Sequence, residues 1–404
     1  MREGVGLDMI SFGSVFLELV FGQVPKLPSP GEEVYTEEFA VSCGGAVSSA
    51  SAAATAGARA GLCTVLGDDL GSRVVTEFCS RRGVDLSPSL RVRHRSAGIT
   101  VVLNFDGDRA FVTNVPAQAL RGQAEIDRWR GVLRSTRPRW CYLHAGHGVP
   151  DFLREARELG SKIALDVSLG DERHRDVVID CIRLADVFVP NEAELQRLTG
   201  TDSTGPAVAA AAAWGTPLVV KRGAAGAVVI SPDGITEVAE GVRRVRVRDL
   251  TGAGDAFAGA MIAALLRGSS LTDAVVAANA AGSEAVARLG AVGEVEVAGI
   301  STAGQTLGAK FIDRMTTASQ RGAAPPALTS EERQRRARRE GGASGAPRWG
   351  ADDTASQRGA APPGLTREER SDERGGKAVP VKGEWGGGWG PAGEPENTEM
   401  EPEL

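Results

Sequence analysis

The amino-acid sequence predicts an α/β fold: a largely parallel, doubly wound sheet with helices on both faces, a small β lid and a disordered C-terminal tail. Short β-branched runs alternate with alanine-rich helical stretches over residues 1–300, a rhythm typical of a parallel sheet. Glycine-rich or acidic turns follow most of these runs. Because ligands of such sheets bind at the carboxyl ends of the strands, we expect the functional site at these turns.

The first elements are bounded by glycine and proline. Pro25, Pro28 and Pro30 break the chain into a loop, and Gly57 and Gly83 are typical of helix ends. In chain order, the predicted elements are a strand with an irregular continuation over 9–20, a strand over 33–41, a helix over 46–56, a strand over 62–66 and a helix over 70–83.

A hairpin interrupts this rhythm. Residues 99–105 and 109–115 alternate as strands on either side of an Asp106-Gly107 turn. Together, residues 33–41 and 98–115 predict a small accessory sheet. Two interpretations are open: a lid over the substrate, which would also offer a homodimer contact, or an edge insertion without a function.

The alternation then resumes up to about residue 290, which completes the predicted sheet. The strands of this part are predicted over 140–144, 162–167, 187–189, 217–221, 227–230 and 242–247, and the helices over 151–159, from 190 onwards, over 256–267 and over 271–289.

The tail, residues 301–404, has low complexity. Residues 317–328 return almost unchanged as residues 354–365, and each copy precedes a charged segment. Two copies are too few for a solenoid, and a segment rich in glycine, proline and charge cannot build a packed core. We expect a disordered segment, although its Trp349, Trp385 and Trp389 leave open a contact function.

Whole-chain properties argue against several classes of function. The chain has 404 residues, enough for one large domain and an additional segment, and its net charge of −6 does not favour nucleic-acid binding. Its five cysteines include no Cys-x-x-Cys pair, so neither a zinc site nor a disulfide framework is indicated, and a cytoplasmic location fits best. No apolar run reaches the roughly 18 residues of a membrane span, and we expect no signal peptide.

The most informative turn is residues 249–257, Asp-Leu-Thr-Gly-Ala-Gly-Asp-Ala-Phe, between a predicted strand and a predicted helix. Backbone N–H groups at a helix N-terminus form an anion site, and Gly252 and Gly254 permit close approach of a ligand. Asp255 has two interpretations at this stage. It caps the helix, or it takes a proton from a hydroxyl that attacks a bound phosphate.

Four motifs stand in order along the chain: Gly44-Gly45 with Gly57 and Gly67, the Asn-x-x-Glu element at 191–194, the strand and turn at 219–226, and the turn at 249–257. Together they resemble the ribokinase-like (PfkB) carbohydrate kinase family over about residues 8–295. Leu250 departs from the small residue usual in the turn at 249–257, and Ser49 stands where the family has an asparagine after the glycine pair.

The resemblance implies phosphoryl transfer from Mg²⁺-ATP to a hydroxyl of a small sugar or sugar-like substrate. Asp255 would be the base, and the backbone N–H groups of Gly252, Ala253 and Gly254 would form the anion hole. This chemistry depends on alignment and charge stabilisation, which a helix N-terminus and an adjacent carboxylate supply.

The resemblance also implies residues for the cofactors. Asn191 and Glu194 would organise Mg²⁺, Glu194 through water, although the same pair is typical of a helix cap. Lys221 would line the nucleotide or, alternatively, end a strand in solvent. The other implied positions are Gly223 and Gly226 beside the nucleotide, Asn279 near the adenine, and Asp249 and Thr251 at a monovalent cation such as K⁺.

The acceptor side leaves the substrate open. Glu18 and Ser49 replace the usual Asp and Asn, so fructose, a keto-deoxy sugar acid and a nucleoside all remain alternatives to ribose. The implied acceptor residues are Glu18, Gly44, Gly45, Ser49 and Asp166. Three lid arginines, Arg93, Arg95 and Arg109, would meet an acidic or phosphorylated sugar or, on the simpler interpretation, a solvated face.

Two questions stay open at this stage. His144 and His147 edge the cleft or are structural, because no third metal ligand is near them in sequence. The alternative to an active sugar kinase is an inactive sugar- or nucleotide-binding regulatory paralogue, or a nucleoside kinase.

Overall fold

A computed structural model describes residues 6–105, 108–114, 122–146, 148–168, 174–232 and 234–295, and these are the residues discussed below. The predicted tail with its repeat, the Asp106-Gly107 turn and His147 lie outside this part of the chain.

The described residues form two principal sheets, one small sheet and the helices that cover them. The strands are β1 (Met9–Phe12), β2 (Val15–Gly22), β3 (Glu38–Gly45), β4 (Ala60–Cys63), β5 (Val65–Leu66), β6 (Leu90–Arg91), β7 (Gly98–Phe105), β8 (Asp108–Asn114), β9 (Trp140–His144), β10 (Lys162–Asp166), β11 (Val187–Phe188), β12 (Leu218–Lys221), β13 (Ala227–Ser231) and β14 (Gly234–Val238). The helices are α1 (Ala46–Thr55), α2 (Leu70–Arg82), α3 (Gln123–Thr136), α4 (Val149–Glu158), α5 (Arg175–Leu184), α6 (Glu192–Thr199), α7 (Thr204–Ala212), α8 (Ala253–Leu266) and α9 (Leu271–Ala285).

The main sheet is largely parallel, as predicted. Its strand order is β14-β13-β12-β11-β10-β9-β1-β4, and only the pairs β12–β13 and β13–β14 are antiparallel. Helices α3 to α7 pack on one face, and α8, α9 and part of α1 pack on the other. Strands such as β1 and β9 are buried along nearly their whole length because both faces are covered.

The second sheet has the order β3-β2-β7-β8. The hairpin of β7 and β8 is antiparallel, and Phe105 pairs with Asp108 across the predicted two-residue turn. The irregular continuation predicted within residues 9–20 is a second strand, because the chain leaves the main sheet after Phe12 and enters the second sheet as β2. The strand predicted over 33–41 also lies later than expected, at Glu38–Gly45.

Two further strand predictions are wrong. The run over 62–66 is divided, because β4 belongs to the main sheet and β5 pairs with β6. Residues 242–247 form no strand. The backbone there is held by α9 and the turn that follows it: the Arg243 N–H donates to Ser283, and the Arg248 and Asp249 N–H groups both donate to the Val286 carbonyl.

Helix ends follow the expected side-chain chemistry. Asp69 caps α2 by accepting bonds from two backbone N–H groups, and Gly83 ends it with a left-handed φ of 69°. Helix α8 begins at Ala253 rather than at the predicted Ala256, which places Asp255 in its first turn. All five cysteines are free and buried, and no helix in the described ranges is long and apolar enough to cross a membrane.

Close packing of α1 against α8 depends on one glycine. A Cβ atom added at Gly259 would lie 2.3 Å from the Ser49 carbonyl oxygen and 2.8 Å from the Ala52 Cβ, closer than real Cβ contacts. The absence of a side chain at Gly259 therefore sets the distance between the two helices and the position of the α8 N-terminus.

We expect Gly259→Ala to lower the free energy of unfolding by about 1–3 kcal/mol, because the extra methyl group must separate α1 from α8. Gly131, in the middle of α3, is the matched control, since an added Cβ there meets nothing within 4 Å. Gly131→Ala should stabilise the protein by about 0.5–1 kcal/mol through helix propensity. Urea unfolding of both variants measures this, and equal effects would contradict the packing argument.

Candidate active site

Polar side chains meet at the carboxyl edge of the main sheet. Strand β9 ends at His144, its neighbour β10 ends at Asp166, and β12 ends at Lys221. Asp255 reaches the same edge from the first turn of α8, because its carboxylate accepts a hydrogen bond from a tyrosine of β9. The structure thus brings together residues from 144 to 255 that the sequence separates by more than 100 positions.

Asp255 does not cap its helix. Helix α8 has no side-chain cap bond, and the Asp255 Oδ1 atom accepts a hydrogen bond from the Tyr142 hydroxyl at 3.1 Å. Burial raises the pKa of Asp255, and Asp166 adds to the rise, while His144 and Lys221 oppose it. This geometry favours the second of the two sequence-based interpretations, a carboxylate directed towards the cleft.

Tyr142 is a site residue that sequence reasoning missed. Its side chain is buried, and its hydroxyl lies 3.1 Å from Asp255 Oδ1 and 3.2 Å from Asp166 Oδ2. A phenol has one proton, so it can donate to only one of the two carboxylates at a time. Burial and the two carboxylates raise the pKa of Tyr142 well above its usual value, so it stays a neutral donor.

Lys221 forms a buried ion pair rather than a solvated strand end. Its Nζ atom lies 2.8 Å from Asp166 Oδ2, and the two side chains are 13% and 5% exposed. Burial alone would lower the pKa of Lys221, but the charges of Asp166 and Glu194 outweigh it and the pKa is raised. The ammonium group therefore remains charged at neutral pH.

The predicted anion hole faces this ammonium group. Gly252 precedes α8 with a left-handed φ of 74°, so the N–H groups that follow point out of the helix end. The Ala253 N–H makes only a long, 3.4 Å bond to the Leu250 carbonyl. A Cβ atom on Gly254 would lie 3.1 Å from Lys221 Nζ, so the backbone of Gly254 and the cation are adjacent.

Asn191 and Glu194 form the complete capping box that was the alternative to a cofactor function. The Glu194 N–H donates to Asn191 Oδ1 at 2.9 Å, and the Asn191 N–H donates to Glu194 Oε2 at 2.7 Å. Burial and the charge of Asp166 raise the pKa of Glu194 to about 7, although Lys221 and the bond from the Asn191 N–H lower it. Capping and proximity to the charged cluster therefore occur together.

The donor set suits a Mg²⁺ ion held largely through water and phosphate. Within the described residues, no group of three or more His, Cys, Asp or Glu side chains is arranged to bind a metal directly. Mg²⁺ usually retains several waters and takes one or two carboxylates. Glu194 and Asp166, whose charges interact at this edge of the sheet, fit that requirement.

Asp249 stabilises the turn at 249–257 by accepting two backbone hydrogen bonds. Asp249 Oδ1 accepts the Thr251 N–H at 2.8 Å, and Oδ2 accepts the Gly290 N–H at 2.7 Å. The Thr251 hydroxyl is buried and has no hydrogen-bond partner. That orphaned oxygen fits a monovalent cation, and the cation itself stays a prediction.

Glu18 lies on β2 in the second sheet, not on the first strand, and it is 5% exposed. Its Oε2 atom accepts the Ala291 N–H at 3.0 Å. Burial raises the pKa of Glu18 to about 7, with contributions from Asp249 and Asp255. A Cβ atom on Gly44 would lie 2.0 Å from Glu18 Oε1, so the glycine makes room for the carboxylate.

Gly45 is required for a different reason. Its φ of 78° lies in the left-handed region, and a Cβ atom there would lie 2.3 Å from the Ser14 carbonyl oxygen. The Gly44-Gly45 pair thus combines room for Glu18 with the turn that starts α1.

Ser49 of α1 is fully buried and faces β1. Its hydroxyl lies 2.8 Å from the Ser11 hydroxyl and also donates to the Ala46 carbonyl at 3.2 Å. Contact of Ser49 with the acceptor stays a prediction.

Of the residues predicted to contact the nucleotide, Gly223 faces open space, whereas Gly226 and Asn279 are packed against backbone. An added Cβ at Gly223 would meet only open space, whereas at Gly226 it would lie 2.2 Å from the Val238 carbonyl oxygen. Asn279 is buried and donates both amide hydrogens, to the carbonyls of Val238 at 3.0 Å and Glu240 at 2.9 Å. Asn279 and Gly226 shape the wall of this region, and their contact with a nucleotide stays a prediction.

The fold and the site define a class: an α/β enzyme whose predicted anion site and buried carboxylate meet at the carboxyl edge of a largely parallel sheet. Comparisons with known proteins identify the family. Residues 8–297 match the pfkB family of carbohydrate kinases. The ribokinase of Mus musculus is 25% identical over 269 residues, which cover 64% of this chain and 82% of the mouse protein.

Two further proteins show the same relationship. The ATP-dependent ribose-1-phosphate kinase of Halopiger xanaduensis is 31% identical over 288 residues, 67% of this chain and 88% of that protein. The structure of Arabidopsis thaliana ribokinase complexed with ribose and ATP has a TM-score of 0.59 at 22% identity, covering 71% of this chain and 95% of the other. The chain belongs to the pfkB family of carbohydrate kinases, and it is a kinase.

The raised pKa of Glu18 predicts a pH-dependent stability. The folded pKa of about 7 exceeds the unfolded value of 4.5, so the contribution of protonated Glu18 is fully present below about pH 4.5 and is lost as the pH rises through 7. Glu18→Gln should therefore gain stability relative to wild type between pH 5 and 8, by roughly 2 kcal/mol.

Urea unfolding at the two pH values measures this gain. The exposed Glu158 provides the control, because Glu158→Gln removes a carboxylate that faces water. A gain at Glu18 no larger than at Glu158 would show that Glu18 is ionised throughout the range.

Proposed function

We propose that this protein transfers the γ-phosphoryl group of ATP to a hydroxyl group of a small sugar or sugar-like acceptor. The observation that carries the proposal is the direction of the Asp255 carboxylate. It lies in the first turn of α8, beside the predicted anion hole, and it is held by Tyr142 rather than by its own helix. A positioned carboxylate next to a phosphate site can take the proton of the attacking hydroxyl.

The pKa of Asp255 supports its function as the base. Burial raises this pKa, and a base works best when its pKa is close to the operating pH. His144 and Lys221 limit the rise, so the carboxylate can remain ionised before the acceptor binds. The surrounding groups therefore act on the pKa of Asp255 in both directions: burial and Asp166 raise it, and His144 and Lys221 lower it.

The developing charge on the transferred group would be met from two sides. The N–H groups of Gly252, Ala253 and Gly254 supply fixed dipoles from the end of α8, and Lys221 supplies a full charge next to Gly254. When bound, Mg²⁺ would supply further positive charge at the phosphates. Glu194 would hold its waters, and Asn191 fixes the orientation of Glu194 through the capping box.

Glu18 and the Gly44-Gly45 turn are proposed to face the acceptor. The support is their position: the charge of Asp255 contributes to the raised pKa of Glu18, so the two carboxylates lie near one another. The related proteins named above are a ribokinase and a ribose-1-phosphate kinase, which favours a sugar with several hydroxyl groups. A monovalent cation such as K⁺ is proposed beside the orphaned Thr251 hydroxyl.

Asp255→Asn should lower kcat for ATP-dependent phosphorylation by roughly 10²–10⁴-fold, because the amide cannot accept the hydroxyl proton. The assay follows ADP release with Mg²⁺ and K⁺ present, across a panel of sugars, sugar acids and nucleosides. Unchanged thermal unfolding of the variant shows that the loss is chemical.

Two results would contradict this proposal. The first is an Asp255→Asn variant with wild-type turnover. The second is a wild-type protein that binds a sugar while no acceptor in the panel increases ADP release, which is the behaviour of a non-catalytic sugar-binding paralogue.

Tyr142→Phe should lower kcat by about tenfold to a hundredfold, because Tyr142 positions the base through a hydrogen bond to a charged group. That bond lowers the pKa of Asp255, so its loss should move the acidic limb of the kcat/KM profile to higher pH. Tyr35→Phe is the control, since Tyr35 is exposed and bonded to Glu33. A fall in kcat with an unmoved limb would indicate only a packing function for Tyr142.

A further inference from the structure

A groove of about 270 Å³ lies on the helical side of the main sheet, where α1, α8 and α9 meet. None of the residues assigned to ATP, to Mg²⁺ or to the acceptor lines it. Ala256 of α8 does line it, and Ala256 directly follows Asp255 in the chain. Because successive residues of a helix point about 100° apart, the groove and the cleft lie on different sides of α8.

The floor of the groove is apolar and carries only small side chains. It is formed by Ala256 and Ala260 of α8 and by Ala277 and Ala281 of α9. Residues four positions apart share one face of a helix, so each pair forms a strip along its helix. The volume is close to the lower end of small-ligand sites, about 300 Å³. One turn of a partner helix, about 10 Å across and about 5 Å long, would exceed it, so the groove fits a small molecule.

A buried hydroxyl group without a partner lies in the wall of the groove. Ser48 of α1 is 3% exposed, and its Oγ atom makes no hydrogen bond within the part of the chain that the structure describes. A serine in a helix usually donates to the carbonyl four residues earlier. Ser48 lies in the first turn of α1, so that position, Gly44, belongs to β3 instead. An unpaired buried hydroxyl is unfavourable, and its place in the groove indicates a polar ligand.

Three arginines line the groove as well: Arg82, Arg267 and Arg288. Two of them are positioned by neutral groups. The Arg267 Nη1 atom donates to the Ala56 carbonyl at 2.8 Å, and the Arg82 guanidinium lies 5.5 Å from the ring centroid of Phe78. Neither contact neutralises the charge, and among the described residues none of the three arginines forms an ion pair. Their charges therefore remain for a ligand.

The balance of charge in the groove is positive. Among the described residues that line it, Glu284 is the one carboxylate, and it forms an ion pair with Arg243 outside the groove. Guanidinium groups pair with carboxylates and phosphates through charge-assisted hydrogen bonds. The rim of the groove thus favours an oxyanion, and the floor favours an apolar body attached to it.

We propose that this groove binds a small organic anion, with its oxyanion at Arg267, Arg288 and Ser48 and its short apolar body on the alanine floor. A carboxylic acid and a phosphomonoester share this chemistry, and the experiment separates them. The site lies outside the proposed kinase centre and does not depend on the acceptor which that centre uses.

Calorimetric titration of the full chain tests the site with four probes: butyl phosphate, pentanoate, inorganic phosphate and butanol. Mg²⁺ and a non-hydrolysable ATP analogue are present, so that the predicted anion hole is already filled. We expect butyl phosphate, pentanoate or both to bind, and the tighter of the two identifies the oxyanion. Inorganic phosphate lacks the apolar body and butanol lacks the charge, so each should bind about tenfold or more weakly than the better anion.

Arg267→Ala and Arg288→Ala should each weaken binding of the better anion about tenfold, because each removes a charge-assisted hydrogen bond. Arg244→Ala is the matched control, since Arg244 is exposed and does not line the groove. Ser48→Ala should weaken binding by about threefold to tenfold and yet raise the Tm of the unliganded protein, because alanine removes the unpaired hydroxyl. A hydroxyl that only stabilised the fold would lower the Tm on removal.

Several results would overturn the site. The first is a wild-type protein that binds neither anion. The second is butanol or inorganic phosphate bound as tightly as the better anion, because one rim charge or the alanine floor would then contribute nothing. The third is an equal loss of binding in Arg244→Ala and Arg288→Ala, which would indicate only the net charge of the surface. Unchanged binding to Ser48→Ala would remove that hydroxyl from the site.

Discussion

The buried ion pair between Lys221 and Asp166 is the interaction on which the proposed active site depends. Three carboxylates, Asp166, Glu194 and Asp255, are gathered at one edge of the sheet, and their repulsion must be balanced where water is scarce. Lys221 lowers the pKa of both Glu194 and Asp255 while it bonds Asp166 directly. Loss of its charge would favour protonation of Glu194 and Asp255, and a protonated Asp255 could no longer accept a proton.

Glycines allow these charged groups to lie so close to the backbone. Gly44 leaves room for the Glu18 carboxylate, Gly254 leaves room for the Lys221 ammonium, and Gly259 lets α8 approach α1. The first two contacts place a charged group against a main chain without a side chain between them, and the third brings two helix backbones together. The position of the α8 N-terminus follows from that packing, so the geometry of the predicted anion hole depends on residues that carry no chemistry themselves.

The sequence predicted what depends on local chemistry. A Gly-Ala-Gly-Asp turn predicts an exposed helix N-terminus wherever it occurs, and an Asn-x-x-Glu element predicts a capping box. It could not predict contacts between distant elements. Tyr142 reaches Asp255 across 113 positions, and the Ser49 hydroxyl of α1 meets the Ser11 hydroxyl of β1. Both outcomes depend on which strands are neighbours.

The wrong strand prediction at 242–247 shows the limit of a local pattern. Alternating valine and arginine is typical of a strand with one solvated face, and on that interpretation the arginines only meet water. In the structure the segment pairs with no sheet, and Arg248 lies 3.1 Å from Glu38 of the second sheet. The proposed reacting centre is built from motifs of the family, whereas a contact such as that of Arg248 with Glu38 joins residues that no motif contains, so it could not be predicted from the sequence.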